Sequence, residues 1–470
     1  MRYYIGLRQR AAPPSAAASG GRPGETSVCW PKAIHIPDAG TQQPAPETPF
    51  FATRYLSAMT FCHHVLENGL EVVAEVRPQA YSCAFAFFVR AGARDETPDI
   101  SGVSHFLEHM VFKGSSRRSA EQVNRELDEL SVGSNAFTSE EQTVYFATTL
   151  PEDQRALVEL LADMLRPALR PDDFETEKQV ILEEIAKYDD QPPYGAHEKC
   201  LAAFFGDHPL GHSILGTTAS ISALSRQQML DYFEQRYSPS NIVLAAAGRV
   251  DFEGLVAQAA EYCGQWPRRE APRRHLPAQP RAGFQVLHKP QAVQEYVVQL
   301  APGPSARDED RYAARLLAAI VGDDVGSRLF WELVDTGRAE SATLGTQGFE
   351  DAGAFCTWLA CLPDLAADNL QRVRRIIEQV KTEGVTGEEL ARVKNKICAE
   401  LVLRAERSAN RLFAVGSSWL VRREYRTVRE AVERYQAVTL ADIQRVLDRF
   451  DLAHTATVAV GPLAELAEPC

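Results

Sequence analysis

The sequence lacks the features that mark membrane-spanning, disulfide-stabilised and nucleic-acid-binding proteins. No apolar run approaches the roughly eighteen consecutive residues that a transmembrane helix needs. The nine cysteines are scattered, odd in number and without any C-x-x-C pair, which indicates neither a zinc ribbon nor a disulfide framework. A net charge of -13, from 63 acidic and 50 basic residues, argues against nucleic-acid binding. We therefore expect no membrane span, no nucleic-acid partner and reduced cysteines, with the cytoplasm as the location and an organelle or the periplasm as alternatives.

The first sixty residues differ from the rest of the chain. They are rich in Ala, Pro, Gly and Ser and contain no acidic residue before Glu25. A targeting peptide has such a composition, but neither a continuous apolar segment nor a clear amphipathic helix supports one. We expect residues 1–60 to be a disordered extension or a mis-assigned segment upstream of a true start at Met59.

A proline-rich and arginine-rich segment divides the remaining chain into two parts. With 470 residues, 45% of them hydrophobic, the chain can form at least two domains with separate cores. Residues 266–283 contain Pro267, Pro272, Pro277 and Pro280 among several arginines, too many prolines for a regular core element. We therefore predict domains at residues 61–265 and 284–470, joined by a linker at residues 266–283.

The start of the second part resembles the start of the first. The segment Val286–Asp308 echoes Val73–Asp95, since each has a strand, a basic-Pro-Gln-Ala turn, a second strand and an Ala-Arg-Asp loop. Where the first copy continues with a histidine-containing segment, the second has Tyr312–Val321, which contains no histidine. The sequence predicts an α+β fold of two homologous α/β-sandwich modules, of which only the first has a metal motif.

Two histidines one helical turn apart form that motif. His105 and His109 are spaced i and i+4, so in a helix both imidazoles project from one face and can reach one tetrahedral ion. Glu108 precedes His109, in the reverse of the H-E-x-x-H order, where it can take a proton from water that the metal binds. We therefore predict one zinc ion per chain, with Glu108 as the general base.

A predicted helix from Asp172 to Tyr188 supplies the third ligand, which a catalytic zinc needs. Its buried side is marked by the apolar residues Phe174, Val180, Ile181, Ile185 and Tyr188. Glu177 and Glu184 lie almost in line on this helix, whereas Glu183 points about 100° away. We assign Glu184 as the ligand and Glu177 as a supporting carboxylate. A solvated helix face is the alternative interpretation, and it suits Glu183 best.

Four motifs resemble those of one peptidase family. HFLEHMVFKGS, NAFTSEEQTVYF, ETEKQVILEEI and HPLGHSILGT follow the order and spacing of the inverzincin peptidases, the pitrilysin and mitochondrial processing peptidase family. The resemblance extends from Phe61 to about Pro462. It implies two similar halves, often with a second subunit, that close like a clamshell around a peptide chamber. Carried over position by position, the zinc ligands are His105, His109 and Glu184, with Glu108 as the base and Glu177 as the supporting carboxylate.

The resemblance also identifies a substrate-binding strand. Asn135, Ala136, Phe137 and Thr138 match the family's edge strand, on which substrate peptides bind. An extended peptide satisfies its amides there by adding a strand, which leaves its scissile carbonyl near the zinc. A turn position is the alternative interpretation of Asn135. A zinc hydrolase with a non-peptide substrate would not use such a strand, so the segment favours a peptide substrate.

Two side chains that are present in family members active without a partner subunit are missing from the second half of this chain. In such members an Arg and, seven residues later, a Tyr follow the motif that here reads SRLFWEL, and both contact the substrate backbone and the oxyanion. Val334 and Ser341 occupy the two positions. We therefore expect a heterodimer in which a homologous partner supplies the Arg/Tyr pair. A homodimer and a non-catalytic or weakly active scaffold subunit of an oligomeric complex are the alternatives.

Overall fold

Apolar segments of the chain form two mixed β-sheets, one in each half. The protein is described by a computed structural model that covers residues 59–190 and 192–469, so all but the end of the predicted N-terminal extension lies outside the described residues. The strands are β1 (Thr60–Val65), β2 (Glu71–Val76), β3 (Cys83–Val89), β4 (Asn135–Thr138), β5 (Thr143–Thr149), β6 (Ile242–Gly248), β7 (Gly283–His288), β8 (Glu295–Pro302), β9 (Ser341–Gly348), β10 (Gly353–Cys361) and β11 (Ala456–Gly461).

Helices cover both sheets, and many begin at a capping signal in the sequence. Ser119, Thr386 and Thr427, for example, each precede a helix and accept a hydrogen bond from the backbone three residues later. Within the described residues, no helix is both long and apolar enough to cross a membrane. The helices are α1 (Val103–Val111), α2 (Ala120–Leu130), α3 (Gln154–Met164), α4 (Pro171–Asp190), α5 (Pro192–Phe205), α6 (Thr218–Ala223), α7 (Arg226–Arg236), α8 (Phe252–Cys263), α9 (Arg311–Gly322), α10 (Ala366–Glu383), α11 (Gly387–Arg404), α12 (Ser408–Arg422), α13 (Val428–Ala437) and α14 (Leu440–Arg449).

The two sheets share one strand order. The first sheet runs β1-β2-β6-β3-β5-β4 and the second runs β7-β11-β8-β10-β9. β2 pairs with β6 in parallel, as β7 does with β11, and the other neighbouring strands are antiparallel. Among the described residues, the second sheet repeats the first without a counterpart of β1. The predicted α+β fold of two related modules is therefore confirmed.

The two modules are joined by an exchange of helices. Strand β3 is buried on both faces, as its continuous apolar sequence indicates. One face packs against helices of its own half, whereas α12, from the second half, covers the other face, where Leu412 and Val415 contact Phe88 and its neighbours. Conversely, α5 from the first half covers the second sheet, with Phe204 in the same apolar cluster as Val298. Each half thus completes the core of the other.

A buried ion pair fixes α12 against the first sheet. Glu75 on β2 is fully buried, and Nε of Arg411 on α12 donates to its Oε1 at 2.8 Å. The hydroxyl group of Tyr425 donates to Oε2 of Glu75 at 3.0 Å. Because both charges are paired and hydrogen-bonded, the carboxylate is stable in this apolar interface.

The predicted linker crosses the junction between the halves and carries one buried charge. Residues 267–282 form neither helix nor strand, as their prolines indicate. Arg273 is nevertheless buried, with Nη2 donating to Asp95 Oδ2 at 2.6 Å and Nη1 donating to Glu350 Oε2 at 3.0 Å. Asp95 belongs to the first half and Glu350 to the second, so the guanidinium group connects the two. The domain boundaries drawn from the sequence stay a prediction.

Candidate metal centre

The predicted metal-binding helix is α1, and its N-terminus is held by a buried glutamate side chain. The preceding Gly102 has a φ of 91°, and an added Cβ would lie 2.5 Å from a backbone oxygen, so glycine is required there. Glu96 accepts the N–H groups of Gly102 and Ser104 at 2.7 and 2.8 Å. The hydroxyl groups of Ser104 and Tyr232 are 2.6 Å apart. These bonds fix the start of the helix immediately before His105.

The side chains of His105, His109 and Glu184 converge on one point. One ligand atom from each residue lies within 4.8 Å of those of the other two. Oε2 of Glu184, on α4, is 3.9 Å from Nε2 of His105 and 3.7 Å from Nε2 of His109. Ligand atoms held about 2.1 Å from one tetrahedral ion lie about 3.4 Å apart, so small side-chain rotations bring these three to ligand distance.

The state of His105 fits a metal ligand. Burial, and then the nearby His109, hold the pKa of His105 well below its usual value, so the imidazole is neutral. Within the described residues, neither of its buried ring nitrogens has a hydrogen-bond partner. A buried nitrogen without a partner is unfavourable, and a metal ion bound to Nε2 would satisfy it.

His109 is oriented by Glu177 and Lys113. Nδ1 of His109 is 2.8 Å from Oε1 of Glu177, and Lys113 forms an ion pair with the other oxygen. Burial raises the pKa of Glu177, but its bonds to His109 and Lys113 lower it overall, so it remains a carboxylate. With Nδ1 engaged in this way, Nε2 of the His109 ring faces Glu184 and can bind a metal.

Glu108 lies beside these ligands and is 8% exposed. The hydroxyl group of Thr138 donates to its Oε2 at 2.7 Å. Burial raises the pKa of Glu108 to about 6, although the hydrogen bond from Thr138 and the charge of His109 act in the opposite direction. A carboxyl group that titrates near neutrality can both accept and return a proton, as a general base must.

The predicted substrate segment is strand β4, at the edge of the first sheet. It pairs with β5 on one side, and no described strand pairs with its other side. Ala136 and Thr138 face the core and α1, whereas Phe137 faces α12, where its ring centre is 6.1 Å from that of Phe413. Asn135 lies in the strand, and its Oδ1 accepts the N–H group of Ala136 at 2.9 Å. The turn interpretation of Asn135 is therefore wrong.

The second module has neither an arginine nor a tyrosine at the two positions singled out in the sequence. Val334 packs partly against the core of this module, and Ser341 is exposed at the start of β9. The neighbouring Arg338 forms an ion pair with Asp368 and donates from Nε to Asn369 at 3.2 Å. Its charge is thus engaged within the second module.

The structure brings together His105, His109, Glu184, Glu108 and Glu177, the residues predicted to form the site. The expected burial of Val180 is wrong, since this side chain is 40% exposed. It lies one turn before Glu184 and about 100° around α4 from the buried Ile181. Sequence reasoning missed Lys113, although its spacing four residues after His109 is a usable signal. It also missed Glu96, for which no local pattern exists.

Two histidines and Glu184 converge beside the buried Glu108, and a sheet edge lies free next to them. These are features of a zinc metallopeptidase. Two family models match the chain: Insulinase (Peptidase family M16) over residues 71–218 and Peptidase M16 inactive domain over residues 223–397. The chain is 34% identical over 407 residues to an uncharacterized zinc protease of Mycobacterium tuberculosis, covering 84% of this chain and 92% of that protein. The chain belongs to peptidase family M16, a family with zinc proteases among its members.

Solved structures share the fold at lower identity. A protease from Helicobacter pylori matches with a TM-score of 0.81 and 22% identity, over 86% of this chain and all of that one. A chain of Complex III2 from Candida albicans matches with a TM-score of 0.76 and 18% identity, over 87% of this chain and 97% of that one. At these identities the likeness extends to the fold alone.

Proposed function

We propose that the protein is a zinc-dependent endopeptidase that cleaves peptides or unfolded segments in an enclosed chamber. His105, His109 and Glu184 hold one zinc ion per chain, and Glu108 is the general base. The convergence of the three ligand side chains beside this buried carboxylate is the observation that supports the proposal. Membership of a family with zinc proteases supports the same reaction class.

Each residue around the site has a separate role in peptide hydrolysis. When bound, zinc would polarise the scissile carbonyl and lower the pKa of water at the site. Glu108 accepts a proton from the attacking water and returns it to the leaving amine. Glu177 holds the His109 ring through Nδ1. The free edge of β4, Asn135–Thr138, aligns the peptide by backbone pairing, which gives affinity without strong sequence preference.

A homologous partner completes the site in this proposal. With Val334 and Ser341 at the two donor positions, the second module offers no arginine or tyrosine there to the oxyanion. The partner contributes the Arg/Tyr pair and closes the chamber over the β4 edge. In a homodimer, the second copy would again carry Val334 and Ser341, so neither the arginine nor the tyrosine would be supplied. A reducing compartment such as the cytoplasm suits the seven cysteines that are free in the described residues.

Replacing Glu108 by glutamine tests the proposal directly. The variant keeps the size of the side chain and removes its ability to take a proton, so zinc content should be unchanged and peptide cleavage lost. Both quantities are measured on the chain purified from its native cell with any homologous chain that accompanies it. Cleavage by the variant at the wild-type rate would refute the assignment of the base.

A scaffold role is the second candidate, and the two missing donors are the observation that favours it. A scaffold subunit needs the fold but no reaction, so the chain would not cleave peptides even with its partner present. The zinc-loaded complex therefore separates the two functions. Peptide cleavage that is lost in Glu108→Gln supports the peptidase, and a complex without activity supports the scaffold.

A further inference from the structure

We propose that Thr138 is a positioning residue whose hydroxyl group orients the Glu108 carboxylate and connects it to the strand on which a peptide binds. This role rests on the proposed function, because it belongs to the same site. Oγ1 of Thr138 donates to Oε2 of Glu108 at 2.7 Å. A residue so far assigned only to substrate binding thus acts on the base.

Glu108 needs such a partner because its helix does not orient it. The carboxyl group lies at the end of a side chain with three rotatable bonds and is almost fully buried. A base must be held in one orientation to act on a water molecule in a fixed place. A hydrogen bond to a charged group is stronger than one between neutral groups, so it can select one rotamer of this side chain.

Thr138 is itself held firmly by the sheet. It is the last residue of β4 and pairs with Thr143 of β5. The two hydroxyl oxygens are 3.3 Å apart, and Thr143 donates to the carbonyl oxygen of Ala91, just beyond β3, at 2.9 Å. The hydroxyl group of Thr138 therefore has a fixed place relative to three neighbouring strands. A peptide that pairs with the free edge of β4 contacts the same backbone that carries this hydroxyl group.

The binding of acetohydroxamate to the zinc-loaded chain tests the proposal without relying on turnover. A hydroxamate chelates the zinc ion and hydrogen-bonds a carboxylate beside it, so its affinity depends on how Glu108 is oriented. Thr138→Val keeps the branched shape and removes the hydroxyl group. We expect it to weaken hydroxamate binding at least about tenfold, with zinc affinity, measured by chelator competition, unchanged. Thr138→Ser restores the hydroxyl group and should restore binding.

Two comparisons separate positioning from a general structural effect. Ser139→Ala removes the next hydroxyl group, which bonds Gln142 rather than the base, and should leave hydroxamate affinity unchanged. In a Glu108→Ala background, Thr138→Val should have no further effect. An equal loss in that background, or tight binding by Thr138→Val alone, would overturn the role of Thr138. A wild-type chain that binds no zinc would overturn the metal centre, and this role with it.

Discussion

Replacing Arg273 by methionine should destabilise the whole molecule, although this residue lies in an irregular segment far from the metal centre in sequence. Its side chain is 3% exposed and connects carboxylates of both halves. Nε donates to Asp95 at 3.0 Å, Nη1 to Glu350 at 3.0 Å, and Nη2 to the carbonyl oxygen of Glu141 at 2.6 Å. Methionine preserves most of the volume and removes every one of these bonds.

The loss of stability is determined by the buried carboxylates that the substitution leaves without their partner. The side chains of Asp95 and Glu350 are each 1% exposed, and breaking a buried ion pair by removing one partner costs about 3–5 kcal/mol. Glu350 keeps its ion pairs with Arg90 and Arg307, which places the expected loss near the lower value, about 3 kcal/mol. With an unfolding entropy of about 2.1 cal/mol/K per residue, cooperative unfolding of the roughly 410 described residues converts this loss to a Tm lower by about 3–4 °C.

Thermal unfolding followed by circular dichroism and by calorimetry measures this shift. Arg274→Met is the matched control, because Arg274 is the exposed neighbour in the same segment and the substitution changes the charge equally. The control should shift Tm by less than about 1 °C. If Arg273→Met and the control had the same Tm, the ion pairs across the junction would contribute nothing and the reasoning would be refuted.

Two further predictions concern the metal ligand and the acid stability of the junction. Glu184→Gln should reduce zinc content in elemental analysis, whereas Glu183→Gln, on the exposed side of the same helix, should not; the reverse result would exchange their roles. Burial raises the pKa of Asp351, but hydrogen bonds from Arg94 and His275 lower it to about 2. Because the folded-state pKa is the lower one, Asp351 stabilises the protein above about pH 4 and loses this effect as the pH falls toward 2. Asp351→Asn should therefore flatten the decline of Tm between about pH 5 and 2, and an unchanged slope would contradict this.

Local patterns in the sequence predict much of the fold and of the site. The strand, turn and second strand predicted within Val73–Asp95 are β2, the turn after it and β3, and the histidines lie on a helix as their spacing indicates. These features depend on residues that are close together in the sequence. Hydrophobic periodicity and the positions of glycine therefore suffice to predict them. The order of the four motifs also locates Glu184, which is distant from the histidines in sequence but lies within the motif ETEKQVILEEI.

Contacts between distant residues could not be predicted in this way. The exchange of α5 and α12 between modules depends on apolar faces that look like ordinary core stripes, and no pattern states which sheet each one covers. Arg273 has four prolines near it and the composition of a solvated linker, yet it is buried and donates hydrogen bonds to Asp95, Glu141 and Glu350, which belong to both halves. The hydrogen bond from Thr138 to Glu108 depends on two side-chain rotamers, which spacing does not determine.

The second module is the reason why we expect the chain alone to be a weak catalyst even if Glu108 is the base, as proposed. At the place of α1 it has α9, whose buried side chains, such as Leu316 and Ile320, fill the core instead of binding a metal. One oxyanion donor typically contributes on the order of 3 kcal/mol, or about a hundredfold in kcat. With Val334 and Ser341 in place of both donors, an added homologous chain that carries the Arg/Tyr pair should raise kcat at least about a hundredfold and leave zinc content unchanged. Full activity of the isolated chain would show that its oxyanion is stabilised by other groups, and the partner would then be unnecessary.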